Sequence, residues 1–501
     1  MKLFRIRGGV HPKERKDATK DKIIVNLPLS ERLYLPLQQH IGAPSRTIVS
    51  AGDKVLKGQL IAKAAGPISA AIHASTSGTI EAIGPYPVPH ASGLMGTAIT
   101  LIPDGKDEWA EPMPRLEDDA EPKAIAQRAA DAGIVGLGGA TFPSAVKLNL
   151  GERHDLKTLV MNGAECEPFL TCDDRLMQEH TNELLAGVAL MSHALGVENT
   201  IIAIESNKPI AAAAAIAASE KYPTISVVQV PTRYPMGSEK HLVHTLTGKE
   251  TPARALTADI GVVVHNIATA FAVYEAVKLG RPLVSRILTV SGSAIANPKN
   301  VRTALGTPIK DLIAFCGGLN CEPQEILSGG PMMGQPLRST DIPTVKGMNG
   351  VLALTPEDTN RGPVHACIRC GACVAACPIG VMPLEISRNI RNGNYDAAVE
   401  AGLMDCISCG SCAFACPSHI PLLQNFHYAK GHLTAQQRTQ HRNDEAKRLA
   451  EEKAARQAKI EAERKANMAR KKAAAAARAK AKAEAEAAET QNNESSKGAD
   501  A

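Results

Sequence analysis

Aromatic residues are scarce in this 501-residue chain, at 3% with a single Trp. That is too few for the base-stacking platforms of single-strand nucleic-acid binders. Long apolar runs are missing as well. No window offers 18 uninterrupted apolar residues, and the closest, 260–279, carries His265, Asn266, Glu275 and Lys278. It reads as a buried helix or a strand-to-helix passage, not a transmembrane helix. The first residues, MKLFRIRGGVHPKERKD, lack the apolar segment of a secretory signal. The body has no charge excess of either sign. The net charge is +5, yet residues 430–501 hold 17 Lys/Arg and 11 Asp/Glu, which leaves −1 for everything before them. The tail's charges alternate in sign, as on a solvated helix, so no nucleic-acid partner is expected. What remains is 44% hydrophobic residues over a length suited to three or four domains.

The cysteines are the most specific feature. Cys367, Cys370, Cys373 and Cys377 precede Pro378, and Cys406, Cys409, Cys412 and Cys416 precede Pro417. Each set reads C-x2-C-x2-C-x3-C-P. Three thiolates at this spacing can wrap three corners of a cubane, while the fourth points away and proline stops the turn. In the two-cluster ferredoxin run the fourth Cys ligates the other set's cluster. The expected ligand sets are therefore Cys367, Cys370, Cys373 and Cys416 for one [4Fe–4S] cluster, and Cys377, Cys406, Cys409 and Cys412 for the second. Structural zinc sites also use C-x2-C but have no use for the repeated third Cys and the Cys-Pro. A long chain without an export signal points to a reducing compartment, where disulfides are rare. Cys166, Cys172, Cys316 and Cys321 lack cluster spacing and read as small buried hydrophobes.

The remaining chain divides by pattern. An N-terminal arm, 1–29, precedes short strands with glycine turns over 30–105. Their sequence, V-x-x-G-D-x-V-x-x-G-Q and then A-x-x-S-G-x-I, resembles the barrel-sandwich hybrid of lipoyl and biotinyl carriers. The carrier lysine is absent from Ser69-Ala70-Ala71-Ile72-His73-Ala74, so the fold is expected without the carrier role, and His73 is expected to be structural. Over 123–285, apolar runs (TLVMN, TIIAIES, ISVVQV, IGVVVHN) alternate with Ala/Leu-rich helices, the pattern of a largely parallel sheet in an α/β domain. Residues 286–345 suggest a β-grasp unit: RILTVSG, a helix near VRTALGTPIKDLIAFCGG, then EILSGGPMMGQPL. Residues 364–428 hold the clusters, with ISRNIRNGNYDAAVEAGL helical between the two cysteine sets. From 434 the chain reads as a long charged helix, polar all round, and its last dozen residues as disordered. The fold class expected is multidomain α/β plus β.

The loop GLGGATFPSAVKL places Gly136, Gly138 and Gly139 where a phosphate or flat ring can approach, with Phe142 able to stack and Lys147 able to pair with a phosphate. On its own this loop reads equally well as a tight turn. It resembles GRGGAGFPTGLKW of the NADH-binding flavoprotein subunit of respiratory complex I. NGAECEP at 162–168 resembles that family's NADESEPG. RYPMGSEK at 233–240 resembles ICGEETAL, and VHNIAT at 264–269 resembles VNNVET. With a β-grasp (SLBB-like) unit and two clusters following, residues 1–430 resemble the C-subunit family of the Rnf/Rsx ion-translocating electron transport complexes. The resemblance implies FMN held by Gly136, Gly138, Gly139, Lys147 and Asn162, with Gly237, Asn266 and Thr269 completing the pocket. Glu165, Glu167 and Glu239 would face the flavin or the nicotinamide ribose, and NADH would stack over the flavin. Leu137, Ala164 and Ser238 stand where that family has Arg, Asp and Glu.

The function this implies is that of an NADH-linked iron–sulfur flavoprotein, the electron-entry subunit of a translocase. It would be peripheral, on the cytoplasmic face of a bacterial inner membrane. Its partners would be the complex's membrane subunits, a second ferredoxin-type subunit and a ferredoxin-like or other acceptor. The other reading is a non-catalytic iron–sulfur docking subunit with a vestigial nucleotide site.

Overall fold

The computed structural model describes residues 6–90, 92–359 and 362–496, the last six of these by backbone only. The chain forms two units, Met1–His427 and Tyr428–Ala501.

In the first unit, alternating apolar residues within 33–103 build two small antiparallel sheets. One orders Leu33–Pro36, Met95–Pro103, Gly78–Pro87 and Lys54–Val55, and the other Arg46–Thr47, Leu60–Lys63 and Ile72–His73. Leu33, Leu35, Ile61, Ile72, Ile80, Ile99 and Leu101 close the space between them with no exposed surface. The stretch 69–74, a hairpin tip in carrier domains, is wholly buried. Lys346 covers it, donating to the Ala71 and Gly133 carbonyls at 2.6 Å each. A buried tip has no freedom to swing a cofactor between sites. Burial, helped by Lys346, depresses His73 to about 3, so it stays neutral.

The four apolar runs form a parallel sheet in the order Ile225–Val230, Asn199–Glu205, Thr158–Gly163, Val262–Asn266. Helices Pro122–Asp131, Thr181–Leu195, Pro209–Ser219 and Ile267–Lys278 bury one face of the sheet through Leu159, Met161, Ile202 and Val263, and helix Glu239–Thr247 covers the other over Val160, Ala203 and Val264, which is why the inner strands read as continuous rather than alternating runs. The chain steps outward from Thr158–Gly163 through two strands, then returns to pair Val262–Asn266 on the opposite side of the first. The crevice beyond the carboxyl ends of those two strands is thus a topological switch point, where open α/β sheets bind ligands.

The third sheet has six strands, ordered Ile24–Asn26, Lys299–Ala304, Ser285–Ser291, Gly350–Leu354, Glu325–Ser328, Gln335–Pro336. It recruits strands from outside 286–345. The N-terminal segment supplies an edge strand, and Gly350–Leu354, fully buried, lies in the sheet's interior. The helix expected near 301–318 covers only Ile309–Phe315. Before it, Val301 and Thr303 alternate inward in a strand, and β-branched residues fit that pleat better than a helix turn.

Between the cysteine sets run helices Pro383–Arg391, with Pro at its start, and Tyr395–Glu400, capped by the Asn394 side chain. A helix spans Leu422–Ser496. Over residues 435–490 it is exposed and carries i,i+4 pairs such as Arg448–Glu452 and Lys482–Glu486. The helix runs through 490–496, part of the stretch expected to be disordered, because extending an existing helix costs little. Residues 497–501 lie outside the described residues.

Candidate functional site

The switch-point crevice is built from paired strand ends. Asn162 and Asn266, last polar residues of their strands, stand opposite each other in register. Asn162 donates to the Gly237 carbonyl at 2.7 Å and accepts from the Ala164 N–H. Asn266 caps helix Ile267–Lys278 through the Ala268 N–H and donates to Asp173 at 2.7 Å. Gly237 must be glycine, since a Cβ there would stand 2.6 Å from the Ala164 carbonyl oxygen.

The glycine loop folds over this crevice. The Gly136 N–H donates to the Phe142 carbonyl and the Thr141 N–H to Gly136, closing it. Thr269 accepts from the Leu137 N–H at 3.0 Å, and the buried Arg286 guanidinium holds the Leu137 carbonyl. Leu137 itself is buried at 2% exposure, which accounts for an apolar residue at this place. Gly138, Gly139 and Ala140 are exposed, and among the described residues their N–H groups meet no protein acceptor. Gly139 has φ +103, a glycine conformation. Lys147, on the short helix Ser144–Leu148, reaches both Glu239 and the Val264 carbonyl at 3.0 Å. The other Glu239 oxygen accepts from Thr257 at 2.6 Å. Phe142 is half-buried beside the loop.

Ten of the twelve positions named from sequence therefore lie in or beside one crevice by these contacts or by chain adjacency, and two carboxylates turn elsewhere. Glu165 accepts from the Asp173 N–H and Asp174 N–H and from the Cys172 thiol, so it caps helix Cys172–Glu179. Glu167 accepts from the backbone N–H groups of Met332 and Met333 at 2.9 Å. Burial raises both, Glu167 to about 7. The ligand atoms of Glu165, Cys172 and Asp173 gather within 4.8 Å, but those backbone donors and Asn266 already engage the two carboxylates. Sequence reasoning missed the supporting groups. Lys16, buried, holds the Glu165 and Leu170 carbonyls. Lys208 and Glu205 pair at 2.7 Å with 1% exposure each. Lys16 reaches its acceptors only through the tertiary fold, and although Lys208 and Glu205 are three residues apart, nothing in the local sequence marks their pair as buried.

The two cysteine loops repeat one backbone shape. Arg369 and Ser408 both have φ 56, and Gly371 and Gly410 have φ 76 and 77 before helices Ala372–Ala375 and Ser411–Phe414. Each loop sends an N–H to its first sulfur, Arg369 to Cys367 and Ser408 to Cys406, at 3.4 Å. Cys377, Cys406, Cys409 and Cys412 line one cavity, walled by Pro378, Ile379, Val381 and Phe426. Burial, with Cys406, Cys409 and Cys377 adjacent, drives the Cys412 thiol upward. Cys373 is raised by burial and by the nearness of Cys416 and Cys367. Thiols so crowded, joined by no disulfide, are suited to a shared metal cluster. Cys367 and Cys370 are exposed. Of the other four cysteines, Cys172 and Cys316 are buried and Cys166 half-buried, but Cys321 is exposed, against the expectation, because it sits in the loop after Gly317-Gly318.

Comparisons with known proteins follow the same divisions. Residues 4–106 match the RnfC barrel sandwich hybrid domain, 129–275 the Nuo51 FMN-binding domain, 287–336 the SLBB domain and 366–420 the 4Fe-4S dicluster domain. These define a multidomain oxidoreductase subunit with flavin-binding and iron–sulfur modules. The chain is 54% identical over 447 residues to the C subunit of the ion-translocating oxidoreductase complex of Rhodobacter capsulatus, covering 88% of this chain and 85% of that one. It is 45% identical to the C subunit of the proton-translocating ferredoxin:NAD(+) oxidoreductase complex of Clostridium ljungdahlii, over 79% of this chain and 87% of that one. Against the Pseudomonas aeruginosa C subunit it is 42% identical, over 91% of this chain and 59% of that one. The chain belongs to the family of C subunits of ion-translocating oxidoreductase complexes. Among the described residues no helix is long and apolar enough to cross a membrane.

Proposed function

We propose that this chain is the NADH-side electron-transfer subunit of a membrane-bound ion-translocating complex, exchanging electrons between NAD(H), FMN and two [4Fe–4S] clusters. The observation that carries the reading is the convergence of Asn162, Asn266, Gly237 and Lys147 under an open glycine loop at a switch point. Lys147 and the N–H groups of Gly138, Gly139 and Ala140 are suited to a phosphate, as charge and oriented amides are in other phosphate loops. Asn162, Asn266, Gly237 and Thr269 would frame the ring and Phe142 would border it, while Glu239 stands beside Lys147. Glu165 and Glu167 support the pocket from behind through the backbone they hold. FMN, when bound, supplies the exchange between a hydride's electron pair and the single electrons that clusters take.

Cys377, Cys406, Cys409 and Cys412 would hold one cluster, and Cys367, Cys370, Cys373 and Cys416 the other. The exposed loop of Cys367 and Cys370, with Val364, Ile368 and Phe414 open to solvent, is the place for a second ferredoxin-type subunit or a ferredoxin-like acceptor to approach. The Clostridium relative is named for a ferredoxin:NAD(+) oxidoreductase complex, which supports the nicotinamide end of the reading. The complex's membrane subunits would keep the chain at the cytoplasmic face of the bacterial inner membrane. Anaerobic purification tests the cofactor content. Iron, acid-labile sulfide and flavin should match two cubanes and one FMN per chain; a chain purified without flavin that also takes up none from solution contradicts the reading.

A further inference from the structure

One seam joins the crevice to the cavity of Cys377, Cys406, Cys409 and Cys412. Tyr234 is 2% exposed, and its hydroxyl donates to the Cys409 carbonyl at 2.7 Å. Its backbone pairs both ways with Val10, at 2.8 and 3.0 Å, and the neighbouring Gly9 N–H donates to the Ala376 carbonyl at 2.9 Å, one residue before Cys377. Gly8 and Gly9 have φ 57 and 85. A Cβ on Gly9 would stand 2.7 Å from the Tyr234 carbonyl oxygen, and one on Gly8 would overlap the Cys377 carbonyl. So residues 8–10 clamp the 233–236 turn to both cysteine sets.

The same turn reaches the crevice. Three residues after Tyr234, Gly237 accepts from Asn162, and its N–H donates to the Cys166 sulfur at 3.2 Å. Cys166 packs against the group formed by Val10, Tyr234, Ala376 and Cys409. One thiol therefore touches the crevice wall and the cysteine-loop packing at once. Cys367 and Cys370 are exposed instead.

We propose that Tyr234 is a positioning residue that fixes the Cys409 loop to the Gly237 wall of the flavin pocket. This makes the cluster of Cys377, Cys406, Cys409 and Cys412 the inner one, next to the flavin, and the cluster nearer the exposed Cys367 and Cys370 the outer one. The inference rests on the cofactor reading above. Its test uses the full chain with both clusters and FMN, in a redox titration followed by electron paramagnetic resonance. Cys409→Ser and Cys370→Ser assign the two cluster signals. In Tyr234→Phe the midpoint of the Cys409-dependent signal should move while the other stays. NADH-driven reduction of that signal should slow by about two- to tenfold, the range one hydrogen bond spans. Dithionite should still reduce both clusters, and flavin content should hold. Unchanged potentials and rates, or a shift confined to the Cys370-dependent signal, overturn the proposal. If Tyr234→Phe assembles poorly, Cys166→Ala probes the same seam and must affect the same signal only; an effect on the other overturns it. A wild-type chain lacking flavin or one cluster signal would instead refute the cofactor reading.

Discussion

Replacing Lys147 by Met separates a binding role from a structural one. The Lys147–Glu239 pair is 3.0 Å long, but its side chains are 25% and 41% exposed. An ion pair so open to water contributes about 0.2–1 kcal/mol to stability. The bond from its ammonium to the Val264 carbonyl adds about 1.5 kcal/mol, the low end for a charged donor because the side chain is partly open to water. Melting should therefore drop only slightly. A charge-assisted hydrogen bond to a phosphate is worth about 1.5–3 kcal/mol, so FMN affinity should fall by about ten- to a hundredfold. Fluorescence-quenching titration of the flavin-free chain measures it. Riboflavin, which has no phosphate, should bind wild type and variant alike. The wild-type affinity for FMN should also weaken more with added salt than the variant's. Equal FMN affinity in both proteins, or an equal loss for FMN and riboflavin, would refute the assignment of Lys147 to the phosphate.

Gly138→Val puts a branched side chain where a Cβ alone would already stand 3.1 Å from Asn266. Flavin content and NADH-driven cluster reduction should fall at least severalfold while dithionite still reduces the clusters; normal flavin content would place the ring elsewhere. Cys377→Ser should damage the cluster that Cys406→Ser damages, and Cys416→Ser the other; spectra in which each substitution removes its own run's cluster would show the ligation is not crossed. Lys346 is pulled from 10.5 to about 7 by burial. The unfolded chain keeps that proton up to about pH 10.5 and the folded chain loses it near pH 7, so stability should rise as pH climbs through that window. The full effect is about 5 kcal/mol, less whatever the two carbonyl bonds to the ammonium return. Melting temperatures at pH 7 and 9 should rise with pH in wild type and rise less in Lys346→Met; equal slopes would show that Lys346 does not titrate there.

The inner parallel strands were legible because burial on both faces leaves continuous apolar runs, and TLVMN or TIIAIES can be little else. The cysteine spacing was legible because cubane geometry sets it locally. Other features depend on partners far along the chain. Ile24–Asn26 looks like part of an arm until Lys299–Ala304 offers an edge to pair with. Val301 and Thr303 sit beside an amphipathic helix, and nothing local tells the strand from that helix. Glu165 and Glu167 sit in the motif that suggested ligand contact. Their direction is set by the start of helix Cys172–Glu179 and by the loop of Met332 and Met333, which no local reading reveals. Tyr234 carries no sequence signal for its bond to Cys409, 175 residues away.

The most direct test of the account is an anaerobic NADH titration of the isolated chain, loaded with FMN and both clusters and followed at the flavin and cluster absorption bands. NADH should bleach the flavin and then reduce cluster signal, and the flavin-free chain should show neither change although dithionite still reduces its clusters. Cluster reduction by NADH in the flavin-free chain, or a loaded chain in which NADH leaves the flavin oxidised, would contradict it.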